Sequence, residues 1–221
     1  MVAVFFLFVT ACLLISGALL PRRIAGRAGQ HFGGGLIAAG FAFSIWSYAV
    51  IGQIDTQLNM FVWAGVLVLF LGTLLFGAAA ASDHGQTAQQ MAILVTLIAA
   101  VLVTVVRITY PSQPGFSATG LFYFNPHPIV QFLDILLLSA TILPGAFVAA
   151  RHFRQPFPAQ VFLSSIVAIH IGALVLITSV NETLLRLIGW ELGIASLLLV
   201  MTAIGLFEHS EKVLGAAKKK R

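Results

Sequence analysis

Charge is what this sequence has least of. Only 9% of its 221 residues are Asp, Glu, Lys or Arg, against roughly 25% in a soluble domain. Hydrophobic residues make up 59%, and the mean hydropathy is +1.01. Such a chain cannot cover a water-facing surface, so it is an integral membrane protein. Cysteine is nearly absent. The one present, Cys12, excludes a disulfide within the monomer and any cysteine-based metal site.

Other absences remove whole chemistries. No lysine precedes Lys212, so the last apolar segment offers no amine for a retinal Schiff base. Of the six histidines only His170 lies deep in an apolar segment. His31, His84, His152 and His209 cluster toward one face and His127 toward the other, so a bis-histidine haem pair is excluded. No H-E-x-x-H or H-x-x-x-H pattern offers a metal site. No G-x-S-x-G elbow or G-x-x-x-x-G-K-[ST] nucleotide loop occurs. No catalytic set is visible, and no cofactor is identified.

What is there is hydrophobic length. Apolar runs recur at Val2–Leu20, Gly34–Gly52, Asn59–Ala81, Gln90–Thr109, Pro128–Ala150, Gln160–Val180 and Glu182–Phe207, each near the ~20 residues a spanning helix requires. The expected fold is an all-α seven-transmembrane helix bundle over residues 1–207, with a short basic tail at 208–221. The first run carries its charge after the apolar stretch, at Arg22 and Arg23. That order suits a retained helix rather than a cleaved leader.

The basic residues orient the bundle. Ten of twelve (Arg22, Arg23, Arg27, Arg151, Arg154, Lys212, Lys218, Lys219, Lys220 and Arg221) fall in alternate loops or the tail. By the positive-inside rule these face the cytoplasm, leaving the N-terminus outside. The net charge of +5 is thus a topology signal and not a nucleic-acid surface. Short loops and this bias point to a prokaryotic plasma (inner) membrane. The expected partners are the lipid bilayer, other membrane subunits or a cytoplasmic signalling protein.

Small-xxx-small pairs, Gly35/Ala39 and Gly40/Ser44 in the second run and Gly189/Gly193 in the seventh, mark those helices as interior. Pro144 is expected to kink or break the fifth helix. The long outer loop from Tyr110 to His127 holds no charge but many aromatics, which suggests an interfacial belt or a cover over the bundle.

Polar residues inside the runs are the candidates for function, because burying charge in lipid costs about 2.5–3.5 kcal/mol on insertion scales. The candidate ligand-binding residues are Arg107, Asp134, His170, Arg186, Trp190, Glu191 and Tyr48. His127, Gln131 and Asp134 share a helical face, and Glu182 and Arg186 are one turn apart. The simplest pairings join Arg107 with Asp134 and Glu191 with His170. Together they suggest receptor- or sensor-like binding of a small ligand in an outward-facing polar cavity. Two alternatives are an accessory or structural subunit of a larger membrane complex, and a small-solute or proton-coupled transporter using Asp134, His170 and Glu191.

Orientation is directly testable because one substitution, C12A, removes every cysteine. With this topology, a cysteine introduced by S117C reacts with a membrane-impermeant maleimide on intact cells, and one introduced by S82C reacts only after permeabilisation. The opposite pattern inverts the bundle.

Overall fold

The computed structural model describes residues 2–52, 58–111, 113–118, 122–125, 127–154, 156–178 and 181–207. In chain order its elements are α1 (Val2–Leu19), α2 (Arg27–Gly52), α3 (Leu58–Ala81), α4 (Gln86–Thr109), β1 (Gln113–Phe116), β2 (Phe122–Asn125), α5 (Pro128–His152), α6 (Pro156–Thr178) and α7 (Glu182–Ala203). The protein is all-α apart from the β1–β2 hairpin. Over the described residues six helices, α1 to α4, α6 and α7, are long and apolar enough to cross a membrane.

Local chemistry sets the helix ends. Asn181 caps α7, its Oδ1 accepting from the Leu184 amide at 3.1 Å. Pro128 opens α5, where its missing N–H costs nothing. The preceding His127 accepts from the Ile129 amide through Nδ1 at 3.3 Å. Its ring stacks on Tyr110 with centroids 4.5 Å apart, closing the base of the outer loop. That loop is an antiparallel hairpin pairing Gln113 with Asn125 and Phe116 with Phe122. α5 runs unbroken through Pro144. A helix that loses one backbone bond to proline stays continuous when its neighbours hold it.

α2 is the central helix, wedged between α1 and α3, and glycine makes the wedge possible. A Cβ on Gly17 would lie 2.6 Å from the Gly33 carbonyl oxygen, and one on Gly33 would lie 2.5 Å from that of Gly17. On the other side, a Cβ on Gly72 would lie 3.1 Å from the Gly35 carbonyl. Both crossings are therefore backbone against backbone, the close approach that small residues permit.

α7 lies further out than its glycines suggest. Its inner face (Leu185, Ile188, Leu192, Ala195, Leu199) is buried, while Leu187, Trp190 and Ile194 are exposed. A Cβ on Gly189 would meet nothing within 4 Å, and one on Gly193 only the rings of Phe5 and Phe8 at 3.8 and 3.9 Å. The Gly189/Gly193 pair thus makes no tight crossing among the described residues. α4 is more peripheral still, with only Gln89, Val103 and Arg107 of its described residues buried.

Polar side chains within the helices mostly bond their own backbone. Ser47, Thr73, Thr96, Ser165, Ser196 and Thr202 each donate to the carbonyl four residues earlier, at 2.6–3.1 Å. This satisfies a hydroxyl where no water is at hand.

One end of the bundle is tied by charge. The Arg23 guanidinium donates to the Ile204 carbonyl at 2.5 Å and to that of Ala203 at 3.4 Å, capping the negative end of α7. Gly205 follows at φ 76° and leaves room for that guanidinium. Asp83, in the short turn between α3 and α4, accepts from Arg151 at 3.5 Å and His152 at 3.3 Å. These contacts gather the loop after α1, the α3–α4 turn, the end of α5 and the end of α7.

Substitution separates crossing glycines from exposed ones. G17A or G33A destabilises by about 1–3 kcal/mol through overpacking, lowering the detergent unfolding midpoint by several degrees. G189A, with open space around it, leaves the midpoint unchanged or raises it. Equal behaviour of the three variants contradicts the backbone crossing.

Candidate functional site: a slot inside the bundle

The inward stripe of α2 is Phe32, Leu36, Ala39, Phe43 and Trp46, spaced by alternating fours and threes, so all five point the same way. Against the last four of them lie α3, with Leu69, Phe70 and Phe76, and α6, with Ile166 and Ile169. The three helices do not close completely. They leave an internal slot of about 90 Å³ whose wall is mostly hydrocarbon.

Polar groups interrupt that wall at four places: Trp46 on α2, Thr73 on α3, Arg107 on α4 and His170 on α6. Trp46 is 2% exposed, and its indole Nε1 has no hydrogen-bond partner among the described residues. The ring fits because α3 carries glycine opposite it, and a Cβ on Gly65 would collide with Nε1. A buried N–H left unmade costs about 1–3 kcal/mol. The indole ring lines the slot, while its N–H is buried against Gly65 and has no partner among the described residues.

His170 is fixed from below. Its Nδ1 lies 2.6 Å from the Ile166 carbonyl oxygen. A carbonyl only accepts, so Nδ1 carries the proton, and Nε2 is the nitrogen left for the slot. The ring also lies 6.2 Å from that of Phe76, centroid to centroid. Thr73 donates its hydroxyl to the Leu69 carbonyl at 3.1 Å, leaving its oxygen lone pairs as acceptors. Arg107 is 7% exposed and sits in the last turn of α4, where the helix dipole favours a cation.

Of the seven residues singled out by sequence, the structure brings Arg107 and His170 to one cavity. The side chain of Asp134 lies outside the described residues. Glu191 is half-buried on α7 and is not part of the slot wall. Arg186 is exposed. Trp190 is 61% exposed and meets Phe5 edge to face at 4.9 Å, bordering a shallow apolar groove between α1 and α7. Tyr48 is 62% exposed, its ring 5.5 Å from that of Phe61. The cavity found is thus internal and mainly apolar, where an outward polar one was expected. Arg186 points outward and Glu191 sits half-buried on the flank of the inner face of α7, so neither reaches the slot.

Sequence reasoning passed over Trp46 and Gly65. The signal was the α2 stripe. Trp46 continues the spacing of Phe32, Leu36, Ala39 and Phe43, whereas Tyr48 stands about 200° further round the helix.

With Trp63 and Trp190 replaced by Phe, Trp46 is the sole indole reporter. G65A then displaces the ring, shifts its emission maximum and destabilises the protein by about 1–3 kcal/mol. An unchanged spectrum would mean the indole does not lie on Gly65.

No family model matches the chain, and no curated protein or solved structure matches it significantly, so the chemistry of the slot stands on its own geometry.

Proposed function

We propose that this chain is a receptor-like membrane protein that holds a small ligand in the slot between α2, α3 and α6. In this reading α5 completes seven crossings, the N-terminus is outside, and the tied, arginine-rich end faces the cytoplasm. The observation that carries it is the apolar cavity inside the bundle whose wall is interrupted by Trp46, Thr73, Arg107 and His170. Binding sites are apolar concavities with a few placed polar groups, and this slot has that composition on a smaller scale. Ligand occupancy would alter the spacing of α2, α3 and α6. The loops that Arg23 and Asp83 tie together are where a cytoplasmic partner would sense that change.

A second reading, a subunit of a larger membrane complex, is favoured by α4. Its apolar residues Leu94, Val95, Ile98, Val101, Leu102 and Val105 are all exposed, and in this reading that flank is covered by another protein. A carrier using Asp134, His170 and Glu191 has less support, because Glu191 lies off the slot wall.

Purification from the native membrane in mild detergent separates these readings. The expected result is a monomeric protein with a stoichiometric small molecule, detected by mass spectrometry and absent from the slot-filling variants A39F and A173F. A molecule retained in both variants sinks the slot as its site. A discrete larger species on native electrophoresis, with fixed stoichiometry of other membrane proteins, establishes the subunit reading instead.

A further inference from the structure

We infer that the outer flank of α7 docks a transmembrane helix of a partner protein, one that carries an arginine or lysine opposite Glu191. The inference is independent of the slot.

Depth singles out Glu191. α7 runs from Glu182 to Ala203, and at about 1.5 Å per residue Glu191 stands roughly 14 Å from one end and roughly 18 Å from the other. A glutamate side chain is too short to carry its carboxylate to either rim from there. Arg186 is exposed as well, but it lies only about 6 Å into the helix. A long cationic side chain reaches the interface from that depth. Of these two charges, Glu191 is the one held at the level of the lipid tails.

That carboxylate is unanswered among the described residues. Glu191 makes no hydrogen bond or ion pair with them, and its oxygens are not among the polar atoms sealed inside the bundle. Half-buried on its flank, it remains reachable from outside. Acids at this depth ordinarily pair with a cation or line a watered cavity, and Glu191 is not part of the slot wall. The charge it calls for is positive and comes from another chain.

Neighbouring residues supply the rest of a seat. Leu184, Leu187, Glu191, Ile194 and Leu198 follow one another at alternating steps of three and four, the spacing with which one helix meets another along a seam. Leu184, Leu187 and Ile194 are exposed, and Leu198 is half-buried. The same steps, one residue later, make the inner face at Leu185, Ile188, Leu192, Ala195 and Leu199, which is buried. α7 thus has two seams about 100° apart, one filled by its own bundle and one open. Lipid tails satisfy the leucines of the open seam but not Glu191. A polar residue at the centre of a seam selects register and partner. Arginine fits it best, since a guanidinium meets a carboxylate through two N–H groups. A contact along one helix is small and therefore reversible, so a receptor that purifies alone in detergent still meets this partner in the bilayer.

The test uses the full-length C12A/S117C protein in liposomes, with a donor dye on the outer loop and dye-labelled synthetic transmembrane peptides. The peptides are leucine–alanine helices identical except at one mid-span position, which holds arginine, leucine or glutamate. Energy transfer as a function of the peptide-to-lipid ratio gives the affinity. The arginine peptide is expected to bind about tenfold more tightly than the other two. E191Q removes that preference, E191D keeps it, and R186Q does not weaken it, with unfolding midpoints confirming intact folds.

Equal binding of the three peptides overturns the inference. So does an arginine preference that survives E191Q, which would place the recognised charge elsewhere. Energy transfer between two labelled copies of the protein, abolished by E191Q, would make the occupant a second copy and overturn the separate partner.

Discussion

Contact between bare backbones is the constraint on which this structure depends. In a bilayer, lipid tails are as apolar as leucine, so burial of hydrocarbon does not drive helix against helix as it does in water. Close approach must supply the attraction. α2 obtains it on two sides, through Gly33 against Gly17 and Gly35 against Gly72. Once those distances are set, the larger residues of α2 have fixed places. Phe32 meets Phe76 and Phe162 at 4.7 and 5.4 Å, and Phe43 meets Trp46 at 5.4 Å. Gly65 is the matching concession on α3, since without it the indole could not lie where it does.

The second requirement is that polar groups find partners without water. Most of them do so locally. Hydroxyls bond back to their own helix, and Arg23 meets the carbonyls that end α7. Asp83 meets two basic groups in a surface pair that contributes little to stability and much to geometry. The indole N–H of Trp46 is one of several buried polar atoms, with Thr10 Oγ1, Ser16 Oγ and Gln89 Nε2, that find no partner among the described residues.

Much of the architecture was legible in the sequence because hydropathy and lipid impose a strict rule. α1 and α3 match their apolar runs to within a residue. α2 begins seven residues before its run, because Gln30 and His31 are helical despite being polar. The site was less legible. Position along a helix can be read from spacing, but the direction in which a charged face points depends on which neighbours the helix has. Arg186 and Glu191 were candidates because charge in a span is costly. Arg186 points outward from α7 and Glu191 lies half-buried on its flank, so neither meets the slot. Arg107 and His170 were found by the same argument, and they converge because α4 and α6 both reach the space beside α3. Trp46 was missed because tryptophan in a membrane sequence is ordinarily read as an interfacial anchor, while the stripe it completes points inward.

The slot has an energetic meaning that its size makes definite. Empty volume in a packed interior costs about 24 cal/mol per Å³, so a void of about 90 Å³ amounts to about 2 kcal/mol. The unmet indole N–H adds about 1–3 kcal/mol. Together these approach half the stability of a marginal fold. The three walls do not yield equally to a guest. α2 and α3 are locked by the Gly35–Gly72 contact, and α1 holds α2 from behind through Gly17 and Gly33. α6 meets its neighbours through side chains instead, Ile166 over Gly145 and Leu192 over Gly172, and side chains change rotamer where backbones cannot. Any widening of the slot is therefore taken up by α6, the helix that carries His170 and packs on both α5 and α7.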